Sequence, residues 1–363
     1  MNELSRDPPE LLERERMACD RVLKSGWWIL GREVSEFETA WAKWVGVSEA
    51  VGCANGLDAI ELALRGLGIG PGDEVITTPM TAFATTLGIM RAGATPVLAD
   101  IDTDTAMLSP DSVKRCISSR SRAILLVHLY GCIGPVEELS ALAQEHDLYL
   151  IEDCAQAHGA SIAGRSAGTF GEVGAWSFYP TKNLGAIGDA GALTTCSEKL
   201  AARARSLRNY GQTERYHHPF VGLNSRLDEL QAALLRERLI YLRIWVERRR
   251  QVAARYTSEL QNPHVRLMQA PLEKERHAFH LFVVRCKARL ELQRHLKHCE
   301  VESLIHYPIP VHLQDPCRSL SRDPLGLNRA EAHANECLSL PCHPGLTDGE
   351  VGQIISAVNE FKV

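Results

Sequence analysis

Lys182 stands at the end of the run Trp176-Ser177-Phe178-Tyr179-Pro180-Thr181-Lys182, and the small residues Asn183-Leu184-Gly185 and Gly188-Asp189-Ala190-Gly191 follow it. A lone loop lysine is usually a surface charge. This one follows an apolar strand-like run inside a Pro- and Gly-bounded loop, where lysine is seldom buried without a partner. Asp153 lies 29 positions upstream (182 − 153), just past the apolar run 148–151. A lysine amine that sheds its proton near a carbonyl can form a Schiff base and move protons. An acid at a strand's carboxyl end can be a helix cap. In an enzyme that uses pyridoxal phosphate (PLP), the same position holds a carboxylate against the pyridine nitrogen, and the ring then accepts electrons from a carbanion. Gln156 is within reach of such a ring's hydroxyl, and Ser177 can offer its own hydroxyl to a phosphate.

Two further places carry polar or aromatic residues that a core does not explain. Ala54-Asn55-Gly56-Leu57-Asp58 opens a helical stretch at 59–65. A Gly-containing turn at a helix N-terminus exposes backbone N–H groups suited to a phosphate dianion, although Asn-Gly alone is also a common turn. Gly222-Leu223-Asn224-Ser225-Arg226-Leu227 and Ile305-His306-Tyr307-Pro308-Ile309-Pro310-Val311-His312 read either as surface loops or as parts of a site.

These segments need a scaffold. Short apolar runs at 74–77, 95–99, 123–128, 148–151 and 175–178 alternate with helical stretches over the first four. That pattern predicts an α/β fold, with a mostly parallel sheet covered by helices on both faces. Ligands in such sheets gather at the carboxyl ends of the strands, where the residues above lie. The first 15 residues read as a flexible arm, followed by the aromatic-rich segment SGWWILGREVSEFETAWAKWVG. From 227 to about 260 there is no Pro or Gly, and leucines recur at spacings of three and four. This predicts one long helix or two abutting ones, leading out of the large domain. A strand-like run at 279–286 and a helix at 290–298 belong to a second domain. The division expected is an arm at 1–15, a large domain at 16–245 and a small α+β domain at 246–363.

Composition narrows the class. Apolar residues make up 45% of the 363 and charged residues 23%, ordinary for a globular protein. The net charge of −5, with no long basic run, recruits neither nucleic acid nor an anionic membrane. Arg248-Arg249-Arg250, beside Glu247, reads as a solvated helix face. No apolar run reaches the roughly 20 residues of a membrane helix, and the charged N-terminus lacks a signal-peptide core. The 11 cysteines are scattered without a CxxC pair, which predicts a reducing cytoplasm and no disulfide framework. Cys337, Cys342 and His343 lack a second ligand pair, so no metal site is expected.

The run SFYPTKNLGAIGDAG, with IEDCAQAHGA before it and NSRLDELQAALLR after it, resembles the nucleotide-sugar aminotransferases of the DegT/StrS family. The likeness extends over nearly the whole chain, from SGWWILGREVSEFE through GCANGLDAIELALRGLGIGPGDEVI and VHLYG to IHYPIPVHLQ. It implies the aspartate-aminotransferase fold, PLP as cofactor, and a homodimer with both active sites at its interface. Position by position, Lys182 resembles the Schiff-base lysine, Asp153 the pyridine partner and Gln156 the neighbour of the ring hydroxyl. Ser177 and the amides of Gly56 and Leu57 resemble phosphate contacts. Phe83 falls where an aromatic stacks on the ring, and Asn224 where a residue reaches the partner subunit's phosphate. Leu57 departs from the family's usual Thr and is similar to the subgroup that aminates C3 of dTDP-linked 3-keto-6-deoxyhexoses. In that subgroup Tyr179, His306 and Tyr307 would face the sugar, and L-glutamate would be the amino donor. A 4-keto-sugar aminotransferase is the nearest competitor. A PLP-dependent sugar dehydratase has histidine where Lys182 stands. A regulatory protein with a dead fold would not need the set Lys182, Asp153, Ser177 and Asn224. A dinucleotide enzyme would carry GxGxxG after the first strand, which this chain lacks.

Overall fold

The computed structural model describes residues 4–363. Its first half builds a sheet from β1 (Glu49–Cys53), β2 (Glu74–Thr77), β3 (Thr95–Leu98), β4 (Ser121–Val127), β5 (Tyr149–Asp153), β8 (Val173–Ser177) and β9 (Gly191–Thr195), with a small hairpin of β6 (Ser161–Ile162) and β7 (Arg165–Ser166) beside it. The order across the sheet is β1-β9-β8-β5-β4-β2-β3. From β8 to β3 every pairing is parallel, and β9 runs against both its neighbours. Helices cover both faces, which is why the strands are apolar runs rather than alternating ones. Phe37, Trp41, Trp176 and Phe178 pack on one face, and Ile60, Leu62 and Leu64 on the other.

The covering helices are α1 (Pro9–Ser25), α2 (Arg32–Val45), α3 (Gly56–Leu67), α4 (Phe83–Arg91), α5 (Pro110–Cys116), α6 (Val136–Glu145), α7 (Glu198–Leu207) and α8 (Glu229–Leu239). The expected arm is not one from Pro9 onward. Proline at a first helical position starts α1, and Leu11 and Ala18 are fully buried. Residues 1–3 of that arm lie outside the described residues. α2 begins at a glycine with no side-chain cap. Glu229 of α8 supplies the cap from afar, accepting hydrogen bonds from the amides of Gly31, Glu33 and Val34 at 2.8–3.0 Å.

The Pro- and Gly-free stretch is two helices: α8, then a break at Ile240–Tyr241, then α9 (Leu242–Glu259). Leu227 lies ahead of α8. Leu242 and Val246 of α9 belong to the core under the large sheet. Val252, Ala253 and Tyr256 belong to a second core. That core is built on the three-stranded antiparallel sheet of β10 (Arg266–Leu267), β11 (Phe282–Arg285) and β12 (Cys337–Leu340), with α10 (Arg289–His298) and α12 (Asp348–Glu360), while α11 (Asn328–Glu336) packs Ala330 and Ala334 into a separate cluster with Tyr130 and Leu281. Among the described residues no helix is long and apolar enough to cross a membrane.

Candidate active site

The polar residues singled out in the sequence collect at the carboxyl edge of the large sheet. Asp153 is the last residue of β5, and it pairs in register with Ala175 of β8. Lys182 follows β8 in a loop so tight that a Cβ on Gly185 would collide with the Pro180 carbonyl. The lysine's own amide donates to Tyr179 O at 2.8 Å. Asn183 anchors the next residue, donating from Nδ2 to His158 O at 3.4 Å and Ala278 O at 3.1 Å. Asp153 is buried. Its two oxygens accept from Thr85 Oγ1 (2.8 Å) and the Ala155 amide (3.1 Å). Thr85 itself lies 2.7 Å from Thr81 Oγ1. Neither threonine was singled out in the sequence, although both stand in the PMTAFATT segment that supplied Phe83.

Neighbouring acids on a strand face opposite ways. Glu152, one residue before Asp153, points to the far side and is consumed there. It accepts from His128 Nε2 and from the amides of Gly168, Phe170 and Gly171 at 2.7–2.8 Å. His128, Glu152 and Cys154 place ligand-type atoms within 4.8 Å of one another. With Glu152 already taken up by four donors, this group has the character of a hydrogen-bonded strut.

Lys182 is half-buried, and burial lowers its ammonium to about 8, against the opposing pull of the Asp153 carboxylate. Burial and the same lysine's charge bring His306 down to about 4 and His158 to about 3. The lysine is therefore surrounded by neutral imidazoles and faces one carboxylate. An amine with that pKa has a free-base fraction near neutrality far above that of an ordinary lysine, as a nucleophile or proton carrier requires.

At the start of α3, Asn55 accepts from the Asp58 amide with its side chain (2.9 Å) and from the Ala59 amide with its carbonyl (3.1 Å). Among the described residues nothing accepts from the amides of Gly56 and Leu57. A Cβ on Gly56 would lie 2.6 Å from Ser177 Cβ, so glycine lets the helix N-terminus close on that serine. Two free N–H groups and a hydroxyl thus converge, a donor set matching a phosphate dianion. On the other side, Gln156 Nε2 donates to Tyr307 Oη at 3.1 Å. Burial, then the Asp153 charge, pushes the Tyr307 phenol up to about 12. Phe83 opens α4 at 37% exposure, and Tyr179 is 52% exposed. Asn224 is exposed on a loop whose backbone bridges Asn209, and its side chain makes no hydrogen bond to this cluster among the described residues.

The DegT/DnrJ/EryC1/StrS aminotransferase family model matches residues 9–359. The chain belongs to this family. It is 45% identical over 354 residues to the dTDP-3-amino-3,4,6-trideoxy-alpha-D-glucose transaminase of Streptomyces venezuelae, covering 97% of this chain and 93% of that one. It is 44% identical over 346 residues to the dTDP-3-amino-3,6-dideoxy-alpha-D-galactopyranose transaminase of Aneurinibacillus thermoaerophilus, covering 95% and 94%. The solved structure of S. venezuelae DesV superposes with a TM-score of 0.93 at 45% identity, over 97% of this chain and 95% of that one. The aminotransferase reading, the fold and the cofactor expected from the sequence therefore stand: the chain is a PLP-dependent transaminase with the family's α/β architecture. The side chains fit that cofactor. A phosphate donor set, a carboxylate and a lysine of lowered basicity lie on one sheet edge.

Proposed function

We propose that this aminotransferase moves the amino group of L-glutamate to C3 of a dTDP-linked 3-keto-6-deoxyhexose. What carries the reading is the near full-length similarity, at 44–45% identity, to two transaminases named for 3-amino dTDP-sugars. The enzyme would work as a homodimer with shared sites, and the exposed Asn224 would reach the phosphate bound in the partner.

In this assignment the Gly56 and Leu57 amides and Ser177 hold the PLP phosphate, Phe83 stacks on the ring, and Gln156 sits by its hydroxyl. When bound, PLP supplies the carbonyl that takes up the amino group and a ring that spreads the electrons of a deprotonated carbon. Asp153, oriented by Thr85 and the Ala155 amide, holds a proton on the ring nitrogen. Lys182 Nζ would take a proton from the substrate carbon that carries the nitrogen and return one to the cofactor's former carbonyl carbon, acting as a general base and then an acid. Tyr179, His306 and Tyr307 meet the hexose. With Tyr307 Oη accepting from Gln156, its own hydrogen is free to donate to the substrate.

Tyr179→Phe should lower kcat/KM for the sugar roughly 2- to 10-fold, the loss of one neutral hydrogen bond, with the glutamate half-reaction nearly intact. The assay is amination of dTDP-3-keto-6-deoxyglucose beside dTDP-4-keto-6-deoxyglucose, with the products weighed by mass spectrometry. Faster amination of the 4-keto sugar would remove the C3 assignment, and an equal loss in both half-reactions would make Tyr179 a cofactor residue.

A further inference from the structure

Tyr130 is a buried tyrosine that no step above uses. It stands just past β4 with φ +61°, a conformation that residues other than glycine rarely adopt and that surrounding contacts must hold. Its backbone amide donates to Gln156 Oε1 at 2.5 Å. Its phenol lies 2.6 Å from the His306 carbonyl and 2.9 Å from His333 Nε2. His333 is buried on α11, and its other ring nitrogen has no partner among the described residues.

The directions of these bonds follow from donor counting. A carbonyl only accepts, so the Tyr130 O–H must donate to His306 O. Its oxygen then accepts from His333, which must carry its hydrogen on Nε2. Burial supports both states. It lifts the Tyr130 phenol well above its ordinary value and, with the charge of Arg285, lowers His333 to about 4, so the phenol stays protonated and the imidazole neutral. The hydrogen bonds run from His333 Nε2–H to Tyr130 O–H to His306 O=C. Tyr307, joined to His306 only through the backbone, accepts at Oη from Gln156 Nε2, and Gln156 Oε1 accepts from the Tyr130 amide.

We infer that Tyr130, set by His333, is the positioning residue of the sugar side: its phenol fixes the His306–Tyr307 segment while its amide fixes the rotamer of Gln156. One residue thereby ties the loop from the second domain to the cofactor side of the cleft, and leaves the Tyr307 hydroxyl hydrogen free to donate. This inference rests on the reading that His306 and Tyr307 meet the sugar.

The test uses PLP-loaded Tyr130→Phe, His333→Leu, the double variant and His333→Gln, whose amide keeps an N–H donor. Three readouts are taken: the glutamate half-reaction, amination of dTDP-3-keto-6-deoxyglucose, and the melting temperature. Tyr130→Phe retains the backbone bond to Gln156. It and His333→Leu should each lower kcat/KM for the sugar 2- to 10-fold with the glutamate half-reaction near wild type. The double variant should be no worse than the poorer single in sugar kinetics or in melting, because the two groups act as one unit. His333→Gln should recover most of the loss. Equal damage to both half-reactions, unchanged sugar kinetics or additive melting losses would overturn the inference. If Tyr130→Phe does not fold, the His333→Leu and His333→Gln pair decides it by the same kinetic split. Wild-type protein that fails to aminate this sugar would contradict the substrate reading alone, and the melting cycle, which needs no sugar, would still judge the Tyr130–His333 unit.

Discussion

Lys182→Ala is expected to lower transamination by about 10⁴-fold or more, since in the proposed assignment the change removes both the amine that would bond the cofactor and the group that would move the proton, and general acid–base transfer alone is worth roughly 10²–10⁴. The variant should still take up PLP. The proposed phosphate donors are Ser177 and the Gly56 and Leu57 amides, none of which depends on the lysine. The lowered pKa gives this prediction a second arm. With Lys182 at about 8, its free-amine fraction in cofactor-free wild-type protein rises tenfold per pH unit below that value and levels above it. Labelling by an amine electrophile, mapped to Lys182 by peptide mass, should follow that curve. An ordinary lysine would keep climbing to about 10.4. Turnover retained in the Ala variant, or labelling that climbs like a surface lysine's, would remove Lys182 from its role.

Asp153→Asn should cost about 10²–10³ in kcat, the scale of removing one preorganised electrostatic group from a reacting centre. Asn can keep Oδ1 on the Ala155 amide and turn Nδ2 to Thr85 Oγ1, which then accepts instead of donating, so the site should keep its shape and bind PLP. The loss would then report the missing carboxylate charge beside the ring nitrogen rather than a collapsed strand end. Glutamate and sugar half-reactions should fall together, because both need the ring as electron sink. That common fall separates Asp153 from Tyr179, whose loss is expected in the sugar step alone. Activity within tenfold of wild type would show that the carboxylate does not serve the ring.

The sequence made the Asp153–Lys182 relation readable because each lies just past its own apolar run, and two neighbouring parallel strands bring the runs together. β9 was harder to see. It is five residues long, GALTT, pairs antiparallel with β8, and has only Ala192 and Leu193 as apolar side chains beside glycine and two threonines. The break between α8 and α9 falls at Ile240–Tyr241, where no Gly or Pro marks it. In the N-terminal segment the signal was present. Pro9 can open a helix, and Leu11, Ala18 and Val22 form a buried stripe, but the charged residues between them resemble an arm. The network around Tyr130 was hidden for a different reason. Its partners Gln156, His306 and His333 are 26, 176 and 203 positions away, and no local pattern encodes which polar groups will meet across two domains. The neutral histidines about Lys182 are likewise a consequence of burial, which only the packed structure displays.

The central claim is that this site delivers an amino nitrogen to carbon 3 of a nucleotide-linked sugar. The most direct measurement incubates the PLP-loaded enzyme with ¹⁵N-labelled L-glutamate and dTDP-3-keto-6-deoxyglucose, and reads the product by NMR. The account predicts a ¹⁵N-coupled signal at C3 of a dTDP-amino-sugar, formed by wild type and absent with Lys182→Ala. Label at another carbon, no labelled sugar, or equal product from the Ala variant would contradict it.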